Sequence, residues 1–249
     1  MGGTAGTPHD VPVSVPAEVP EPPRSVLGLQ HMTPRQQLRA GRLPRRLTQL
    51  FVGLTLFGLS MAMLIRGGLG MIPWDVFHYG VASHVPLSFG TIAILVALGV
   101  LLLWIPLREM PGLGTIANAI WVGISADIGL HLLSTPDALV LKIALMVGGI
   151  VLNAYSTALY IGAQFGPGPR DGLMTGLARR LPVSLRVIRT GIEVVVVAIG
   201  WLLGGVVGVG TVLFALSIGP LTQFFLPPLV VRVDPPPLSA GSAPAPPRG

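Results

Sequence analysis

Long apolar runs separated by short polar breaks fill the chain between residues 47 and 229. A helix that crosses a membrane needs about 20 mostly apolar residues, so the pattern predicts six such helices. Their predicted bounds are 47–65, 89–107, 112–133, 139–163, 187–206 and 209–229. The weakest division is the glycine-rich stretch 204–210. The pattern therefore predicts an all-α membrane protein with six transmembrane helices.

The composition indicates that lipid surrounds most of this chain. Hydrophobic residues make up 51% of it, charged residues only 10%, and the mean hydropathy is +0.74. This apolar excess is not typical of a soluble globular protein. The net charge of +6 could indicate nucleic acid, but the arginines cluster beside apolar runs and form no basic face. The predicted partner is therefore the lipid bilayer, without nucleic acid.

Both ends of the chain differ from its apolar middle. Residues 1–45 and 231–249 are rich in Pro, Gly and polar residues, so we expect two disordered tails around a membrane domain at 46–230. No signal peptide is expected, because the first long apolar run starts near Leu47.

The arginines predict the orientation, because Lys and Arg are enriched in cytoplasmic loops. Five arginines lie within residues 35–46, directly before the first predicted span, so we expect a cytoplasmic N-terminus. With six crossings the C-terminus is also expected in the cytoplasm. The residues on the predicted inner side are Arg35, Arg39, Arg42, Arg45, Arg46, Arg108, Arg170, Arg179, Arg180, Arg186 and Arg232.

The chain also repeats itself at an offset of 96 residues. Pro73 matches Pro169, Asp75 matches Asp171, and many of the other identities are Gly, Pro or Ser. Such a repeat indicates an internal duplication.

Each copy, at about 47–133 and 139–229, contains three predicted crossings. Because three is an odd number, the second copy would enter the membrane in the opposite orientation. The prediction is two inverted three-helix repeats, an arrangement common among transporters and also found in other proteins.

A short connector lies between the first and second span of each copy, at 67–88 and 163–184. Each contains a Pro-x-Asp sequence followed by a short predicted helix. We expect Asp75 and Asp171 to be the N-cap residues of these helices. Two alternatives remain open: an amphipathic helix on the membrane surface, or a half-helix that enters the membrane and lines a polar cavity.

Charged residues inside predicted spans are candidates for function, because charge is costly in lipid. Arg186, Arg189 and Glu193 follow one face of the fifth span, and the last two are spaced for a salt bridge. The first copy has Gly90, Ala93 and Ala97 at these positions. The charges indicate either acquired function or an ion pair that fixes packing.

Other polar residues of the spans are expected to serve packing. Asp127 and His131 lie four residues apart and could share a hydrogen bond. Asn118 and Asn153 are expected to hydrogen-bond between helices. The Gly-x-Gly-Thr sequences at 112–115 and 208–211 are expected to let helices approach closely. No catalytic motif is present, so neither an enzyme nor a cofactor or metal site is predicted.

Two segments carry a family resemblance: GLGMIPWDV at 68–76 and GPGPRDGLM at 166–174, the latter followed by the Arg-x-x-x-Glu and Gly-x-Gly-Thr sequences. Together they resemble the YczE-like bacterial integral membrane proteins, related to the YitT and YyaS families, over roughly residues 45–230. The resemblance implies a multi-pass protein of the bacterial inner membrane and implies no particular activity.

From these features we expect a small-solute transporter or substrate-binding membrane component. The alternative is a membrane scaffold or regulatory partner that transports nothing, and a protein partner or a second copy of the chain fits either function. The residues predicted to form a polar site are Asp75, Asp171, Arg170, Arg189, Glu193 and Trp74.

Overall fold

A computed structural model describes residues 32–233, and this part of the chain is helical without strands. The helices are α1 Pro34–Arg39, α2 Leu43–Gly67, α3 Pro73–Ala82, α4 Phe89–Leu107, α5 Leu113–Leu132, α6 Leu139–Gly162, α7 Pro169–Ala178, α8 Leu185–Leu202 and α9 Val209–Leu229. Helices α2 to α5 start 96 residues before α6 to α9, respectively. The repeat seen in the sequence is therefore a repeat of helix starts.

Five of these helices are long and apolar enough to cross a membrane: α2, α4, α5, α6 and α9. This supports a membrane protein with several spans. The predicted sixth span corresponds to α8, which is outside this set and carries Arg186, Arg189 and Glu193 within 18 residues.

The connector helices α3 and α7 are both present, but the predicted N-caps are wrong. The N-cap residues are Ile72 and Gly168, whereas Asp75 and Asp171 lie two residues after the prolines that begin the helices. Proline at the first position has no N–H to cap. In α3 the backbone N–H of Asp75 itself donates to the Ile72 carbonyl at 2.8 Å, as expected for a residue inside the helix.

The two copies exchange their connector helices. Helix α3 packs mainly against α8 of the other copy, and α7 packs mainly against α4. At one contact the Trp104 ring covers Gly172, where any Cβ would overlap it. At the equivalent contact Gly200 lies against the backbone of Val76. Each connector is therefore held by the opposite half of the protein.

The Gly-x-Gly-Thr sequences hold the chain that enters each connector. The Gly114 N–H donates to the Phe165 carbonyl at 2.9 Å, and the Gly210 N–H donates to the Leu69 carbonyl at 2.8 Å. These bonds also join opposite copies. The Gly-x-Gly-Thr sequences therefore do allow a close approach as expected, but the start of a helix approaches a loop and not another helix.

One asymmetry separates the copies. Helix α4 packs closely against α5, where the Asp127 carboxylate accepts hydrogen bonds from the Ser88 hydroxyl and, at 2.7 Å, from the Gly90 N–H. Within residues 32–233, α8 makes no comparable contact with α9. Asp127 and His131 share a hydrogen bond as expected, but at 3.1 Å it joins the His131 ring to the backbone carbonyl of Asp127 and not to its carboxylate.

Part of the predicted N-terminal tail is folded. Helix α1 begins with a capping box between Thr33 and Gln36, and buried Gln37 accepts a hydrogen bond from Arg46 at 2.6 Å through its carbonyl. Predicted disorder up to residue 45 is therefore wrong for this helix. The remainder of both predicted tails, residues 1–31 and 234–249, lies outside the described residues.

Candidate functional site

A polar cavity of about 90 Å³, open on one side, lies where the N-terminal ends of the two connector helices meet. Its walls come from the starts of α3 and α7, from α6, and from the facing sides of α8 and α9. Five of the six predicted site residues line it: Trp74, Arg170, Asp171, Arg189 and Glu193. The packing of the connectors therefore brings together residues that are far apart in the sequence.

Arg170 lies at the centre of the site. Its guanidinium carbon is 5.5 Å from the Trp74 ring centroid and 6.0 Å from that of Phe57. Both distances are typical of cation–π contacts. Within residues 32–233 no carboxylate forms a salt bridge with Arg170. Its hydrogen-bond donors are thus available to a group in the cavity.

Trp74 supplies another donor. Its side chain is 6% exposed, and its buried indole Nε1 has no hydrogen-bond partner in the described part of the chain. A buried donor without a partner is costly, and most buried polar groups have one. The indole N–H therefore lacks a partner at the edge of a cavity that could hold one.

The acidic residues of the cavity already have partners. Asp171 accepts a hydrogen bond from the Tyr160 hydroxyl at 2.9 Å. Glu193 accepts one from Arg189 Nε at 3.0 Å, which confirms the predicted salt bridge on α8. Among the described cavity residues, Arg170 is the cation without an acidic partner, and the Trp74 indole N–H lies beside it, an arrangement suited to a negatively charged group.

A second, smaller cavity of about 20 Å³ lies on the other side of this centre. Trp74, Asn118, Pro169 and Arg170 line both cavities. The smaller one occupies the equivalent place in the first copy. Asn118, which was expected to hydrogen-bond between helices, thus lines the site. Asn153 does join helices as expected, donating to the Ser60 hydroxyl at 2.8 Å.

Asp75 is the predicted site residue that lines neither cavity. It is fully buried, and neither carboxylate oxygen has a hydrogen-bond partner within residues 32–233. Its nearest ionisable neighbour is His78, whose Nδ1 lies 3.4 Å from Asp75 Oδ1. His78 is 3% exposed and lines the smaller cavity. Asp75 therefore lies behind the cavity wall, next to Trp74.

Sequence reasoning missed Tyr160 and His78. Both differ between the copies: Leu64 stands in the first copy where Tyr160 stands in the second, and Met174 replaces His78. Comparing the two copies at these positions could have identified both residues as candidates for the site. No group of three or more His, Asp or Glu side chains that could hold a metal ion occurs among the described residues.

Comparisons with known proteins place this chain in one family. The model of a family of unknown function, DUF6198, matches residues 44–227. An uncharacterized protein of Haemophilus influenzae is 41% identical over 177 residues, which cover 71% of this chain and 81% of that protein. The uncharacterized membrane protein YczE of Bacillus subtilis is 32% identical over 184 residues, covering 73% and 86%. No solved structure matches. The chain therefore belongs to the DUF6198 family of YczE-like membrane proteins.

Proposed function

We propose that this protein transports a small organic anion with one carboxylate group across the bacterial inner membrane, without changing it chemically. The observation that carries the proposal is the guanidinium of Arg170, which faces a polar cavity without an acidic partner among residues 32–233. Beside it is the unpaired N–H of Trp74. Both groups donate hydrogen bonds, and a carboxylate is a matching acceptor.

The charges around the cavity favour a monoanion. Asp171 and Glu193 also line it, and their carboxylates would repel the second charge of a dianion. Arg189 is paired with Glu193, so Arg170 is the one cation free for a ligand among the described cavity residues. A single carboxylate therefore fits better than a dicarboxylate.

We propose six crossings in two inverted repeats, with both termini in the cytoplasm. In this topology α8 is the sixth crossing. Its Arg189 and Glu193 line the cavity and pair with each other, which lowers the cost of placing them in the membrane. The connectors are re-entrant half-helices. Their buried packing against α4 and α8 supports this over a surface location.

The asymmetry of the two copies supports an alternating mechanism. Helix α4 is closed against α5, whereas the larger cavity extends between α8 and α9. We propose that in the opposite state α8 closes against α9 and α4 separates from α5. The solute site near Arg170 would then open to the other side of the membrane.

Uptake into liposomes that contain the purified full-length protein tests the function. The panel is formate, lactate and benzoate, with succinate, glycine and phosphate for comparison. We expect uptake of a monocarboxylate, reduced about tenfold or more by Arg170→Gln, because a charge-assisted hydrogen bond contributes about 1.5–3 kcal/mol. Arg180→Gln, at an exposed position beyond α7, is the matched control. No uptake of any compound would favour the scaffold alternative.

Cysteine labelling tests the topology, because the chain has no native cysteine. Val85 and Val183 are exposed residues that follow the two connector helices. In intact cells we expect a membrane-impermeant thiol reagent to label Val85→Cys. Val183→Cys should be labelled only after the cells are permeabilised. Equal labelling of both in intact cells would contradict the inverted arrangement.

A further inference from the structure

We propose that Asp75 and His78 form a proton-binding site behind the anion cavity, and that its proton accompanies the transported anion. This inference rests on the proposed function for the coupling, but not for the proton site itself. Its basis is a buried carboxylate, a buried imidazole 3.4 Å away, and a position next to Trp74 in the chain.

The burial of Asp75 is the first step. Its side chain is fully buried and neither oxygen is hydrogen-bonded within residues 32–233. Burying a carboxylate without hydrogen bonds is costly unless a cation or a proton compensates its charge. The α3 N-terminus does not provide the missing bonds, because the N–H groups of Asp75 and Val76 donate to the Ile72 carbonyl.

His78 provides the second step. It lies at ion-pair distance from Asp75 and also lines the smaller cavity. The imidazole can thus take a proton from water in that cavity and share it with the carboxylate. With one proton the pair is neutral; with two it carries one positive charge. An N–H or O–H bond forms on the pair as an O–H bond of hydronium breaks, and the reverse step returns the proton to water.

The equivalent position in the second copy shows that this pair is a specific feature of the first. There Asp171 has the Tyr160 hydroxyl as its partner, and Met174 stands in place of His78. Asp171 also lines the larger cavity, whereas Asp75 does not. One connector therefore holds a carboxylate with a fixed donor, and the other holds a carboxylate beside a titratable group.

The charges around the pair explain the coupling. Helix α4 contributes no ionisable residue, α8 contributes Arg189 and Glu193 to the neighbouring cavity, and α7 contributes Arg170. The formal charges of Arg189 and Glu193 cancel, and so do those of Arg170 and Asp171, so the four residues carry no net charge. An entering anion adds one negative charge, and a second proton on the Asp75–His78 pair adds one positive charge. Each therefore favours binding of the other.

Infrared difference spectroscopy of the purified full-length protein tests the proton site directly. The carbonyl stretch of a protonated carboxylic acid should appear as the pH falls. It should be absent in Asp75→Asn and kept in the control Asp171→Asn. If Asp75→Asn does not fold, His78→Gln serves instead, and we expect it to shift the pH midpoint of the band. A wild-type band that neither substitution changes, or no band at all, would overturn the proposal.

Liposomes with an internal pH indicator test the coupling. Formate, lactate and benzoate are each added as the probe, and we expect about one proton to enter with each anion taken up. Uptake of any of these anions without a proton would overturn the coupling. If none of them is taken up, the proposed function fails, and the infrared band still decides the proton site.

Discussion

Replacing Arg46 with Gln should strongly destabilise the protein, although Arg46 lies far from the cavity. Its side chain is fully buried and donates hydrogen bonds to three carbonyls: Ala163 at 2.9 Å, Gln164 at 2.9 Å and Gln37 at 2.6 Å. The guanidinium also lies 4.3 Å from the Phe165 ring centroid. Arg46 thus joins α1, α2 and the chain that leads into α7.

The magnitude follows from these contacts. A hydrogen bond to a charged group contributes about 1.5–3 kcal/mol, and an acceptor left buried without a donor adds a penalty. Part of this loss is offset, because glutamine avoids the cost of burying a charge. We expect a net loss of about 3 kcal/mol. For a chain of this size that corresponds to a fall in Tm of roughly 6–12 °C.

Thermal unfolding of the detergent-purified protein, followed by tryptophan fluorescence, measures this change. Arg45→Gln is the matched control, because Arg45 is the neighbouring residue and its side chain is exposed. The Tm of Arg46→Lys should lie between those of Arg46→Gln and Arg45→Gln, since lysine keeps the charge but not the planar arrangement of donors. Equal Tm values for Arg46→Gln and Arg45→Gln would refute the assigned role.

Two further predictions concern helix contacts. Gly90→Ala should lower the Tm by several degrees, because a Cβ at this position would overlap the Gly123 carbonyl and the Asp127 carboxyl group. Gly99→Ala on the same helix is the control: its Cβ meets open space, so the Tm should not fall. Equal Tm values for the two variants would contradict the close packing of α4 on α5. Trp104→Phe removes the hydrogen bond from Nε1 to the Pro169 carbonyl at 3.0 Å and should cost about 1 kcal/mol. Unfolding in denaturant checks this against Trp201→Phe, an exposed control that should have no effect.

The pattern of apolar runs predicted the starts of α4, α5, α6 and α9 to within one residue. The Arg189–Glu193 pair followed from its spacing within one helix. Each of these features depends on residues a few positions apart, so the sequence carries it directly.

The contacts that build the site were less accessible, because they join distant segments. Nothing near Tyr160 in the sequence indicates that its hydroxyl binds Asp171, and nothing near Gly210 indicates that its N–H binds Leu69. The N-cap prediction failed for a different reason, since a proline at the first helical position moves the aspartate into the helix. The duplication supplied the better clue, through the positions where the copies differ.

The exchange of connector helices has a consequence for how the chain assembles. Because α3 packs mainly against α8, and α7 mainly against α4, each half lacks the main surface against which its own connector packs. Separate expression of residues 1–134 and 135–249 should therefore give fragments that are degraded alone and stable when co-expressed. The two halves would behave as an obligate pair of complementing fragments, and synthesis of the second half would complete the folding of the first.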